Sequence, residues 1–367
     1  MKQDYWTYNK PLSMTGLGGG ATSLSNTGSG PYSGDIALAH ASSPYISVYP
    51  WDSSGFGTKY SNPSTLPTGT GNKVAFSPDG TAIAIAHNSS PYISVYEWTS
   101  SGFGSKYSNP STLPTGAGYS VAFSSDGAYL AVGHDGGSTS DPKISVYPWT
   151  SSGFGTKYSD PSTLPGGFTG YGVEFSPDGT AIAVAHDGYP YISVYPWSSS
   201  GFGSKYSNPS TLPAGSVTGG VAFSPDGANL AVAHVNSPYI TVYPWSSSGF
   251  GTKYSDPSSL PPYDAYGGCV FSPDGTNLAM AHAFHPSVTT YPWSSSGFGT
   301  KYSAPPDNGN GNSGAIAFSP DGAAIAVGHF SSHWISVYPW DSGYGTKYSN
   351  PSPLPPEAVR GIAFSPS

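Results

Sequence analysis

Seven histidines raise the first chemical question. His40, His87, His134, His186, His234, His282 and His329 each close or directly follow an apolar phrase of the type A-I-A-V-A-H, about 48 residues apart. A ring of imidazoles is a metal-binding device when several of them converge. Here they hold one equivalent place in seven copies of a unit, on the second strand counted from the centre. No three should converge, and the expectation is a hydrogen bond within each unit. No metal and no cofactor is predicted. His285 and His333 fall outside the pattern, in loops that vary between copies, and are candidate ligand contacts. Asp79, Asp126, Asp178, Asp226, Asp274 and Asp321 sit in S-P-D-G or S-S-D-G phrases, where a tight turn wants them. Asp135 and Asp141 are too sparse a carboxylate set for a calcium loop. The G-F-G glycines precede no helix and make no phosphate cradle. No Ser-His-Asp set stands out among the many serines.

The unit that must position these residues is marked by Trp51, Trp98, Trp149, Trp197, Trp245, Trp293 and Trp340, spaced 47 to 51 residues apart. One copy reads V-A-F-S-P-D-G (Val74 to Gly80), T-A-I-A-I-A-H (Thr81 to His87), P-Y-I-S-V-Y-E-W (Pro91 to Trp98) and S-G-F-G-S-K-Y-S-N-P (Ser101 to Pro110). These are four strands, A to D, separated by turn chemistry. No helical period occurs. In Ala82 to Ala86 large and small apolar residues alternate, so both faces of strand B are buried. Four-stranded sheets stacked face to face around an axis meet that demand. The fold expected is all-β, a seven-bladed β-propeller over residues 35–367. Val74, Val121, Val173, Val221, Val270, Ile316 and Ile362 open its A strands. The first copy lacks an A strand and Gly361 to Ser367 supplies one, so the C-terminal strand should pair into the N-terminal blade and close the ring.

The phrases V-A-F-S-P-D-G, A-I-A-V-A-H and I-S-V-Y-P-W resemble WD40-type propeller repeats across residues 35–367. The Trp-Asp pair of that family stands here only as Trp51-Asp52 and Trp340-Asp341, and the Gly-His before strand A is missing. The recurring Y-P-W-S-S-S-G-F-G-T-K-Y-S also resembles propeller proteins of bacteriophages, marine ones in particular. That resemblance implies a virion component.

Comparison of the copies separates two faces. The A–B and C–D connections barely change, while the B–C and D–A loops vary. The residue that opens strand C runs Tyr45, Tyr92, Lys143, Tyr191, Tyr239, Ser287, Trp334. The D–A loops add Tyr119, Tyr171, Tyr263, Tyr266, the stretch Asp307 to Asn312, and Arg360, the only arginine. Aromatic residues on varied loops of a rigid scaffold fit stacking on sugar rings or packing against a protein partner. The repeated lysines of G-T-K-Y should blunt the outer edges.

Only 9% of residues are charged, and the net charge is −8 with no basic patch. That speaks against nucleic acid as partner. No stretch approaches the ~20 apolar residues that span a bilayer, and the N-terminus shows no apolar signal-peptide core. Cys269, the single cysteine, reads as an inert thiol. Residues 1–34 carry Tyr5, Trp6 and Tyr8 ahead of a Gly/Ser-rich run and read as a docking arm onto other virion or filament subunits in a homo-oligomeric assembly. The location expected is the virion or the extracellular space, reached by lysis. The residues just ahead of strand A, namely Lys73, Ser120, Gly172, Gly220, Cys269, Ala315 and Gly361, include no acid and no histidine. The expected function is therefore a non-catalytic virion structural or adhesion module, with its variable face toward a host-surface glycan or another virion protein. The alternatives are a propeller enzyme, lactonase-like or glycan-cleaving, and a cellular WD40-like scaffold.

Overall fold

Strand B shows why the sheets stack. In the computed structural model, which describes residues 32–305 and 311–366, Ile83 and Ile85 of the second blade pack against Ala37, Ala39, Ile46 and Val48 of the first. Ala82, Ala84 and Ala86, on the opposite face, receive Leu130 and Val132 of the third blade. The large residues of each blade thus enter the small-residue face of the blade before it. Seven clusters of buried residues repeat this contact around the ring. The expected arm residues Tyr5, Trp6 and Tyr8, and Asp307 to Asn310 of the D–A loop ahead of the seventh blade, lie outside the described residues.

Among the described residues every regular element is a β-strand, and the strands form seven antiparallel sheets. Six sheets have four strands in meander order; the seventh has three, extended by a bridge between Trp340 and Tyr344. The inner A strands are Gly71–Phe76, Gly118–Phe123, Gly170–Phe175, Gly220–Phe223, Cys269–Phe271, Ser313–Phe318 and Val359–Phe364. The repeated tryptophan locks each blade to its neighbour. Trp98 meets Tyr60 of the preceding blade edge-on at 5.1 Å, with its own blade's Phe76 at 5.7 Å and Phe103 at 5.0 Å.

Closure is as the sequence predicts. Val359–Phe364 pairs with Gly34–His40, setting Ile362 opposite Leu38. Tyr32 reinforces the joint: its buried hydroxyl donates to the Ser365 carbonyl at 2.7 Å, while Ser365 Oγ accepts the Asp35 N–H at 2.9 Å. The Asp35 carboxylate accepts from Trp98 Nε1 at 3.0 Å and from the Tyr60 hydroxyl at 2.9 Å, tying the closing blade to the next.

The sixth blade corrects one expected register. Cys269 pairs with Met280 as Val221 pairs with Val232, so Cys269, not Val270, takes the opening-valine place. Counting back from Phe271 and the S-P-D-G turn gives this register, because this copy reads C-V-F where others read V-A-F. Replacing Ile362, which is 4% exposed in the closing cluster, with Ala should cost about 2–5 kcal/mol. A fall in the urea midpoint with unchanged slope would register it; an unmoved midpoint would show that closure does not limit stability.

Candidate functional site

The histidine ring is structural. Each Nε2 meets a strand C hydroxyl: Ser47, Ser94, Ser145, Ser193, Thr241, Thr289 or Ser336, at 2.9 to 3.1 Å. In five blades Nδ1 also lies at a loop carbonyl, for example His87 at Ser89 O, 2.8 Å. A carbonyl only accepts, so Nδ1 carries the hydrogen and Nε2 accepts from the hydroxyl. Burial lowers six of these histidines from 6.5 to about 4. Among the described residues no three His, Cys, Asp or Glu side chains are grouped to hold a metal.

The variable face contains most of the residues singled out there, but not as one ring. Tyr45, Tyr92, Tyr191, Tyr239 and Trp334 all adopt positive φ, between 47 and 74°. That region is costly for a residue with a Cβ. Turn bonds hold it: Tyr92 N–H reaches Ser89 O at 2.8 Å, and Tyr92 O accepts from His87 N at 2.9 Å. Tyr191, Tyr239 and Trp334 lean on the cores between blades. Two of the residues that open strand C are not on the surface, the expected contact Lys143 among them. Lys143 is buried, its ammonium held by the carbonyls of Ser138, Thr139 and Asp141, because the longer loop folds back over it. Ser287 is buried as well. Tyr263 is exposed and meets Phe284 edge-on at 5.2 Å. His285 and His333 are exposed.

Tyr119, Tyr171, Tyr266 and Arg360 gather elsewhere, lining an axial cavity of about 820 Å³ enclosed by the inner strands. Tyr119 and Tyr171 lie 5.0 Å apart, and the Arg360 guanidinium sits 5.2 Å from the Phe330 ring centre. Arg360 belongs to the closing A strand, not to the loop before it, since pairing extends back to Val359.

The cavity holds a side chain that the sequence comparison overlooked. Glu174 occupies the place of Ala75, Ala122, Ala222, Val270, Ala317 and Ala363. It is the one acid among the lining residues, and Lys73 and Arg360 are the cations. Glu174 Oε2 accepts the Phe223 N–H at 3.1 Å. Burial pushes its carboxyl up to about 8, against the opposing pull of that N–H and of Lys73. Burial also lowers the Lys73 ammonium, which Glu174 partly restores. The Cys269 thiol, in the same channel, is raised by burial and stays protonated. A carboxyl raised toward neutrality, with a lysine ammonium in the same channel, is equipped for general acid–base chemistry.

No protein-family profile matches the chain, and no curated protein matches it. Solved structures share its fold. A functionally unknown protein from Desulfotomaculum acetoxidans superposes with TM-score 0.65 at 13% identity, over 91% of this chain and 100% of its own. A candidate 6-phosphogluconolactonase from Bacteroides fragilis gives 0.67 at 12%, over 90% and 98%. The periplasmic gluconolactonase of Pseudomonas aeruginosa gives 0.63 at 18%, over 90% and 99%. Such identities establish the propeller and no more. They nevertheless correct the expectation of a non-catalytic module: proteins of this shape carry lactonase names, and the channel does contain an acid. The expectation looked two residues too early on strand A, at Gly172 instead of Glu174.

The buried histidines set an acid limit. Their folded-state value of about 4 lies below the unfolded 6.5, so the unfolded chain binds the extra protons. Stability is complete above 6.5 and is lost as pH falls toward 4. Each ring accounts for ~3 kcal/mol over that window. Six together outweigh the ~5–15 kcal/mol of an ordinary domain. The melting temperature should therefore drop steeply between pH 6.5 and 4; a flat profile there would contradict the buried neutral state.

Proposed function

We propose that the chain is a hydrolase that opens a small polyhydroxylated lactone in the axial channel. Glu174 carries the reading: it is a carboxyl raised by burial to about 8, set in a cavity of ligand size. As carboxylate it takes a proton from water, and the hydroxide so formed adds to the lactone carbonyl. Lys73 faces the same cavity and supplies positive charge for the oxyanion. Collapse breaks the ring C–O bond, and the protonated Glu174 returns its proton to the leaving alkoxide. Tyr119 and Tyr171 offer ring faces to a sugar-like body at the mouth. The lactonase names of proteins with this fold support the choice of bond.

The test is acid release from glucono-δ-lactone, with spontaneous opening subtracted. The rate should rise with pH through about 8, and Glu174→Gln, which keeps an acceptor for Phe223 N–H, should lower kcat by ~10²–10⁴ at unchanged melting temperature. Equal rates for the two proteins would end the reading.

A second reading concerns the outer rim. Tyr189 (70% exposed), Phe284 (58%) and Phe168 (52%) stand clear of the variable face, which supports its use in meeting a glycan or a protein surface, as a virion-borne protein would require. Attachment through residues 1–34 stands as part of that same proposal.

A further inference from the structure

A second cavity, of about 280 Å³, lies on the outer strands between the sixth and seventh blades and shares no lining residue with the axial channel. Comparison of the seven copies gives it meaning. Where six blades place Val48, Val95, Val146, Val194, Val242 and Val337, the sixth has Thr290. Where six have the phenylalanine of G-F-G, the seventh has Tyr344. In five blades the ammonium of the G-T-K-Y or G-S-K-Y lysine reaches an Asn or Asp three residues on: Asn62, Asn109, Asp160, Asn208 or Asp256. The sixth blade has Ala304 there, and Lys301 meets no partner among the described residues. The three departures fall in two different blades, yet Thr290, Lys301, Ala304 and Tyr344 all line the one cavity.

We propose that this cavity is a binding site for a small monocarboxylate. The Thr290 and Tyr344 hydroxyls lie 2.6 Å apart; one donates to the other, and the second hydrogen is left to be given away. Burial holds Tyr344 protonated. Lys301 adds a single positive charge, released from its usual acceptor by the change to Ala304. One ammonium and one hydroxyl donor match the charge and two oxygens of a carboxylate. A phosphate at neutral pH carries closer to two charges and lacks a second cation here. Pro286, Val288 and the Tyr302 ring supply an apolar part of the wall, with Thr289 and Ser303 beside them, which suits a short hydrocarbon or CH-rich body. The site is independent of the hydrolase reading.

Isothermal titration of the whole chain with butyrate tests it, with 1-butanol and inorganic phosphate as comparison ligands. Butyrate should bind saturably with one-to-one stoichiometry, butanol and phosphate at least about tenfold more weakly. Lys301→Met should weaken butyrate at least about tenfold, the worth of one charge-assisted contact. Ala304→Asn, which restores the residue of the other blades, should weaken it too by recapturing the ammonium, with the melting temperature unchanged. No saturable butyrate binding, equal binding of butanol or phosphate, or full affinity in both variants would overturn the proposal.

Discussion

Everything in this molecule depends on the fit of large side chains into a small-residue face. Ile83 and Ile85 fill the space above Ala37 and Ala39, and Leu130 and Val132 fill that above Ala84 and Ala86. Neither face has another way to leave water, and a four-stranded blade alone exposes both. Burial at ~25 cal/mol per Å² then drives each blade onto the next until the last meets the first. The same demand explains the low charge content. With both sheet faces consumed by packing, polarity is confined to turns, loops and rim, where hydroxyls and amides suffice.

The inner strands turn that scaffold into a site. They approach so closely that a Cβ on Gly172 would stand 2.7 Å from Gly220 Cα, and one on Gly361 2.7 Å from Lys73 Cα. Glycine serves there because backbone fills the space. Side chains bridge adjacent A strands instead from the second blade to the fifth: Asn72 Nδ2 donates to Gly118 O at 2.8 Å, Ser120 Oγ accepts from Val173 N at 3.1 Å, and Glu174 follows. The ring is nearly uniform in its backbone and lopsided in its chemistry. Lys73, Glu174 and Cys269 come from three different blades and share one channel only because the axis brings their strands together.

The architecture was legible because it is written seven times. Periodicity, alternation on strand B and the missing first A strand sufficed for blade number and closure. The histidines were legible for the same reason, since a residue repeated in every copy serves the copy. The channel was harder. Glu174 differs from its six counterparts, so the signal lay in the sequence, but reading it required knowing which strand A residues face the axis, and the twist of the strand decides that. Lys143 was misread because its partners are carbonyls of its own loop, and backbone acceptors leave no trace in side-chain pattern. The shared turn that puts Tyr45, Tyr92, Tyr191 and Tyr239 at positive φ was equally invisible. The loop bonds impose that conformation, against the preference of tyrosine.

The repeated mould also makes the blades interchangeable parts. The alanine face of the second blade offers the fourth nearly the same fit as the third, and connectivity alone dictates the order of assembly. Two chains folding side by side present to each other the surfaces each presents to itself. Exchange of blades between molecules is then a competing route with almost the native contact energy. Apart from the Thr290–Tyr344 pair between the sixth and seventh blades, the residues that depart from the repeat sit at the axis and the rim, away from the faces that recognise one another, and cannot police it. Chain concentration during folding, more than any single contact, decides whether a ring closes on itself.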